Sequence, residues 1–180
     1  MIKTIALMSI VLSFATAAAA QGPPGLEKKS PRAESRITIK IAGLECTTTL
    51  GSGTFSATAY SFGASQETTT TTGGGAGAGK AVVLPLNATK AFDECSTSLF
   101  GGVVTGKHFA TVDLVQQDEK GHAILTINLT DALIGSYQIS GHQSNDSPQE
   151  SIQIDFRKIC ISDPSSGNKL CFDRSTNTTS

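Results

Sequence analysis

The chain has 180 residues and a formal net charge of -1, with 14 basic side chains against 15 acidic ones. A polyanion partner needs a surplus of Lys and Arg on one face, so this balance disfavours nucleic-acid binding. The length fits a single domain: roughly 160 residues, once an export leader is removed, bury about two-thirds of their unfolded surface around one core.

In chain order, Met1 to Ala20 has one early lysine, an apolar run from Ile5 to Phe14 and the small-residue tail ATAAAA. That order predicts a secretory signal peptide cleaved close to Ala20, and the apolar run is too short for a membrane span. The expected product is secreted or periplasmic and begins near Gln21. Residues 21–35 read as an exposed leader: Lys28, Lys29, Arg32 and Arg36 cluster in a segment flanked by Pro and Gly. The folded domain is expected over 36–173, with 174–180 as a flexible tail.

The body is a series of strand signals. Arg36 to Ala42 alternates cleanly, and Thr54 to Phe62 does so more weakly. Thr68 to Gly79, rich in Thr, Gly and Ala, offers nothing for a core to grip and is expected as a flexible loop. Gly74 to Lys80, GGAGAGK, has the spacing of a phosphate-binding loop, but Ala81 stands where Ser or Thr would hold magnesium. A strand-like AVVLP follows, and Pro85 excludes the helix that such a loop needs, so nucleotide binding is rejected. Lys80 to Leu86 is read as a strand instead.

Ala91 to Val115 holds the one credible helix of the mature protein. Ser96 or Thr97 can supply a capping hydroxyl, Cys95, Leu99 and Val103 recur on one face, and Gly106 sits where a helix stops. Gly101 and Gly102 each cost roughly 1 kcal/mol relative to Ala, so packing against a sheet must hold this helix. Asp93 and Glu94 at its start are acids that the helix dipole favours. Further strands are expected over His108 to Gln116, Ala123 to Leu129, Ala132 to Ser140 and Ser151 to Ile161. Alternating strands with short turns and no helices between them predict a mainly β fold: an antiparallel barrel or two-sheet sandwich with one short helix.

Four cysteines in an exported chain allow three pairings. Cys160 and Cys171 flank DPSSGN, a turn cluster between two strand-like runs, so a bridge closing that hairpin is the simplest choice. Cys46 follows the first strand and Cys95 opens the helix; joining them ties the helix to the sheet. Zinc is the weaker reading, because no CxxC pair exists and the three histidines are scattered. No serine or cysteine stands in a nucleophile motif, so no catalytic residue, metal or cofactor is expected.

The order TAYSFGASQ, GGGAGAGK, VVLPLNATKAFDECSTSLFGGVVTGKHFATVDLV, ILTINLTDALIGSYQISG and ESIQIDFRKICI resembles the haemolysin-coregulated protein (Hcp) family, the tube protein of type VI secretion. The resemblance runs from about Arg36 to Ile161. It implies a barrel of two sheets with one helix, assembling into hexameric rings that stack as a hollow tube. The leader, the four cysteines and the short link from Cys46 to Ser56 depart from that family. The reading that follows is an exported Hcp-like structural protein, a ring or tube subunit that partners itself and secretion-system components. In a ring, Thr70, Gly73, Gly74, Gly75, Gly77, Gly79 and Lys80 are expected to form the contact, because small side chains let a neighbouring sheet edge approach. The alternative is an exported monomeric barrel that binds a small molecule or a surface partner.

Overall fold

Arg36–Ile41 (β1) has Ile39 and Ile41 buried and Lys40 exposed between them, the alternation that makes a strand with one face on a core. A computed structural model describes residues 36–69, 77–143 and 147–180; the expected signal peptide and leader lie outside them. The chain divides into Met1–Pro31 and Arg32–Ser180, and the elements below belong to the second unit. After β1 come the short strands Thr47–Thr48 (β2) and Gly51–Ser52 (β3), then Thr54–Ala57 (β4), Ala59–Ser61 (β5), Ala64–Thr69 (β6), Gly77–Val83 (β7) and Leu86–Ala91 (β8). The helix α1 (Ser96–Thr105) is followed by His108–Gln117 (β9), Ala123–Ser140 (β10), Gln149–Asp163 (β11), Asn168–Asp173 (β12) and Thr178–Thr179 (β13).

Antiparallel pairing closes a barrel. β4 pairs with β1, β1 with β9, β9 with β10, β10 with β11, β11 with β8 and β8 with β5. The ring of strands is completed because β4 and β5 are one stretch of chain that changes partner. At Thr58 the backbone N–H donates to Thr89 O at 2.8 Å, and from there the chain pairs with β8 instead of β1. The single strand expected over Thr54 to Phe62 is therefore two, split where the sheet turns its corner.

A second difference has a comparable cause. Two strands were expected on either side of Asp131, but β10 runs through without a break. Asp131 adopts a left-handed backbone, φ 54°, and the buried positions change parity across it, from Ile127 and Leu129 to Ala132 and Ile134. One residue of inverted φ rotates the strand, so a period-2 reading sees two strands where the hydrogen bonding sees one. The strand expected over Lys80 to Leu86 is conversely divided: β7 ends at Val83 and β8 begins at Leu86, with Pro85, which has no N–H to pair, in the gap. Residues 174–180, expected as a flexible tail, return as β13. Ser180 and Cys171 exchange backbone hydrogen bonds at 3.0 Å, and Asn177 at φ 55° makes the turn.

The helix packs on β10 with Cys95 and Leu99 fully buried. Its N-cap is Cys95 with no side-chain cap, so neither Ser96 nor Thr97 caps it as expected. The Ser96 hydroxyl instead accepts the Asp93 N–H at 2.9 Å, and the Asp93 carboxylate accepts the Cys95 N–H at 2.8 Å. Gly106 ends the helix in the left-handed conformation, φ 61°. Gly102 is buried, and a Cβ there would meet Ile134 Cδ1 at 3.2 Å and Phe109 Cζ at 3.3 Å. Its absence lets the helix sit close to the sheet, which is how packing offsets a poor helix former.

Both disulfides join the expected partners. Cys46 and Cys95, 5.0 Å apart between Cα atoms, fasten the helix start to the segment after β1, and Cys160 and Cys171 face each other across β11 and β12.

Candidate functional site

Two surfaces flank β8, one at each of its ends. At its start lies the ribbon of β6 and β7, a two-stranded sheet separate from the barrel. Ala64 pairs with Val83, Ser65 with Val82, Gln66 with Ala81, Thr68 with Ala78 and Thr69 with Gly77. The register shifts between Gln66 and Thr68, where the Gln66 amide donates to Gly79 O at 2.9 Å. At the base, Leu84 N–H donates to Gly63 O at 2.8 Å. Among the described residues, neither outer edge of the ribbon pairs with another strand. Both edges thus present unpaired backbone donors and acceptors, the usual template for strand addition.

Of the residues expected at an interface, Gly77, Gly79 and Lys80 lie on β7, with Gly79 and Lys80 exposed. Thr70, Gly73, Gly74 and Gly75 lie outside the described residues. The loop expected over Thr68 to Gly79 is corrected at both ends, since Thr68 and Thr69 belong to β6 and Gly77 to Gly79 belong to β7. Cross-strand backbone bonds hold these residues, a source of order that composition does not display. The same pairing puts the end of the GGAGAGK segment in an extended strand.

At the end of β8 is a buried polar cluster that the sequence reading missed. Lys90 and Glu150 are directly opposite each other on β8 and β11, and both side chains are inaccessible to solvent. Lys90 Nζ donates to Glu150 Oε2 at 2.8 Å, Ala91 O at 2.8 Å and Ser96 Oγ at 3.1 Å, and also lies 2.8 Å from Asp93 Oδ1. It sits 5.4 Å from the centre of the Phe55 ring. The other Glu150 oxygen accepts the Tyr137 hydroxyl at 2.6 Å. Burial, and after it that bond to a carboxylate, push the Tyr137 phenol above its ordinary range. A buried charge is tolerated when it is paired and fully hydrogen-bonded, and this cluster ties together β8, β11, β10 and the helix start. The available signal was period 2 on β8: Leu86 and Ala88 point inward, and Lys90 is next in that series.

Above the cluster is an open groove of about 410 Å³ lined by Phe92, Ser96, Thr97, Phe100, Tyr137 and Ile139. The Phe100 and Tyr137 rings pack with centroids 5.8 Å apart. Phe100 and Val104 form a second apolar stripe on the helix, both exposed, at a spacing that was legible beside the buried one. His108 is exposed and faces Asp131 at 3.4 Å, and Asp113 is engaged by Asn128.

Residues 34–162 match the family described as type VI secretion system effector, Hcp. The chain belongs to the Hcp family. Solved structures agree on the fold. A type six secretion system protein superposes with a TM-score of 0.71 at 24% identity, over 81% of this chain and 99% of that one. Hcp1 from Salmonella typhimurium gives 0.69 at 20% identity over 82% and 99%. A type VI secretion system effector from Yersinia pestis gives 0.62 at 23% identity over 76% and 98%. No curated protein matches the chain in sequence. The Hcp match ends within β11, so β12, β13 and the Cys171 half of one disulfide lie beyond it. No helix among the described residues is long and apolar enough to cross a membrane.

Proposed function

We propose that this Hcp family member is an exported structural subunit that self-assembles into a ring, six copies by analogy with the family, able to stack as a tube and to meet secretion-system components without catalysing a reaction. The observation that carries this reading is the β6–β7 ribbon, whose two outer edges pair with no other strand among the described residues. Ordering such a segment costs roughly 1–2 kcal/mol per residue, and Gly and Ala bury too little in a monomer to offset it. Laid along a neighbour's sheet edge, the same backbone gains hydrogen bonds, and its small residues permit close approach. Thr70, Gly73, Gly74, Gly75, Gly77, Gly79 and Lys80 are the contact residues in this reading.

The test is a native mass measurement on the mature protein beside a variant in which a two-residue turn replaces Thr70 to Gly77. The expected result is rings for the first and a folded, disulfide-bonded monomer for the second. Rings that survive the replacement with unchanged stability would refute the ribbon as the assembly element. Export is tested separately by the N-terminus of protein recovered from the periplasm or medium: cleavage near Ala20 supports it, and an intact Met1 overturns it.

One observation favours the second reading, an exported monomeric binding protein. The apolar groove beside α1 has the volume of a small-molecule site. A native mass of one mature chain at all concentrations would select that reading.

A further inference from the structure

Little in its own sequence holds the helix α1. It is 10 residues long with Gly101 and Gly102 inside it, it has no side-chain N-cap, and no acid in its first turn or base in its last complements its dipole. Isolated helices of that length are marginal in water, so α1 stays formed only while it is docked. It docks chiefly on β10, with Leu99 and Gly102 buried, and so covers Phe109 and Ile134. Its other neighbour is the segment from Gly43 to Cys46. That segment meets the helix through the Cys46–Cys95 bridge, through Ser98 Oγ, which donates to Glu45 O at 2.6 Å, and through Lys107 Nζ, which donates to Gly43 O and Glu45 Oε1, each at 3.0 Å. Between these fastenings is an open concavity of about 260 Å³ lined by Leu44, Ser98, Gly101, Gly102 and Thr105 among others. The hydrogen bonds are exposed and compete with water, so the covalent bond is what fixes the helix to this segment.

The same bridge is the better placed of the two for reduction. Cys46 is partly exposed, whereas Cys160 and Cys171 are both buried in the β11–β12 pairing. Cys95 is the N-cap of α1, where the helix dipole favours negative charge. A thiolate that attacks Cys46 Sγ therefore breaks the S–S bond with Cys95 Sγ as a stabilised leaving group. We propose that Cys46–Cys95 is a redox latch: a dithiol reductant opens it, α1 comes off the barrel, and the strands stay paired. The first sulfur of the dithiol forms a mixed disulfide with Cys46 and releases Cys95, and the second then displaces Cys46. Two electrons and two protons pass to the protein, Cys46 and Cys95 end as thiols, and the reductant leaves as its own disulfide. Lys90 keeps Glu150, Asp93 and Ala91 O when Ser96 moves away, so the polar cluster survives. The groove does not, because Ser96, Thr97 and Phe100 form one of its walls. It is therefore a site of the oxidised protein alone.

Native hydrogen exchange is measured on oxidised wild type, on Cys46→Ser/Cys95→Ser protein and on Cys160→Ser/Cys171→Ser protein. In the first paired variant the amides from Phe100 to Thr105 should exchange at least about 100-fold faster than those of Ile39, Leu114 and Ile127 in the same molecule, a gap that the wild type does not show. The second paired variant keeps the latch and should show no such gap. Under graded dithiothreitol, alkylation and peptide mapping of wild type should find Cys46 and Cys95 free before Cys160 and Cys171, with α1 protection lost in the same step and restored on reoxidation. Helix amides that keep pace with the strands in the first variant, whether all stay protected or all lose protection together, overturn the latch. Opening of Cys160–Cys171 first overturns it as well.

Discussion

The two ends of β8 are stabilised in opposite ways. At its end, side chains do the holding: Lys90 is bonded to Glu150, Ser96 and Ala91 O, the Tyr137 hydroxyl completes Glu150, and the Cys46–Cys95 bridge closes over the helix start. At its start, the β6–β7 ribbon is held by backbone pairing and the Gln66 amide. An isolated two-stranded ribbon is marginal in water, whereas a closed polar cluster inside a barrel fixes one geometry. The difference teaches where each kind of work is done: the rigid end shapes a groove, and the ribbon, anchored at its base by buried Val83, has strand edges that pair with no other strand among the described residues.

The sharpest way to break this contrast is to open the polar cluster. Glu150→Ala removes one of the two carboxylates that lie 2.8 Å from the buried Lys90 ammonium, leaving Asp93 as the other, and should destabilise the oxidised protein by about 3 kcal/mol in urea unfolding. Replacing both partners, Lys90→Met with Glu150→Leu, should recover most of that loss, because no buried charge is then left unpaired. A single variant as mild as the double one would mean that the Asp93 carboxylate is sufficient partner for Lys90.

The bridges give the next largest effects and rank by loop length. Chain-entropy estimates put the Cys46–Cys95 bridge, 49 residues apart, at about 4 kcal/mol and the Cys160–Cys171 bridge, 11 apart, at about 3 kcal/mol. Unfolding of the two paired Cys→Ser variants measures both. The long bridge should also matter more for the groove, since Cys95 directly precedes Ser96 in its wall. Equal losses would show that residual structure in the unfolded chain outweighs loop length.

What the sequence made legible follows the same contrast. Strand alternation in β1 and the end of the helix at Gly106 were readable because one local rule decided each. The bridge partners followed from turn residues and from position beside the helix, and the order of motifs was enough for the Hcp resemblance. Three features were not readable in this way. Asp131 hides one strand as two by rotating its buried face, Thr58 divides one run between two partners, and Lys90 finds Glu150 only after β8 and β11 have come together. The groove was half legible. Phe100 and Val104 announce a second helical stripe, but Phe92, Tyr137 and Ile139 join it only through the fold.

The smallest expected effect concerns the β11–β12 hairpin, an intermediate case between the two ends of β8. Like the ribbon it is a pair of antiparallel strands, but its turn is gathered by one charge. The Asp163 carboxylate accepts the Ser165 N–H at 2.9 Å, the Ser166 hydroxyl at 2.7 Å and the Ser165 hydroxyl. The Ser165 and Ser166 hydroxyls, followed by the Ser165 N–H, hold its pKa down to about 2. A carboxylate whose folded pKa lies below the unfolded value of about 3.9 contributes stability that is fully present above the unfolded value. That contribution fades as pH falls from about 4 through about 2, where the folded carboxylate takes up its proton. Asp163→Asn keeps an acceptor oxygen and loses the charge. The melting temperature of the wild type should therefore exceed that of the variant by a small, constant margin between about pH 5 and 7, and the margin should close by about pH 2. Asp163 is only half-buried, so added salt should shrink the margin as well. A margin that stays the same from pH 7 to pH 2 would mean that acceptor geometry, not charge, gathers the turn.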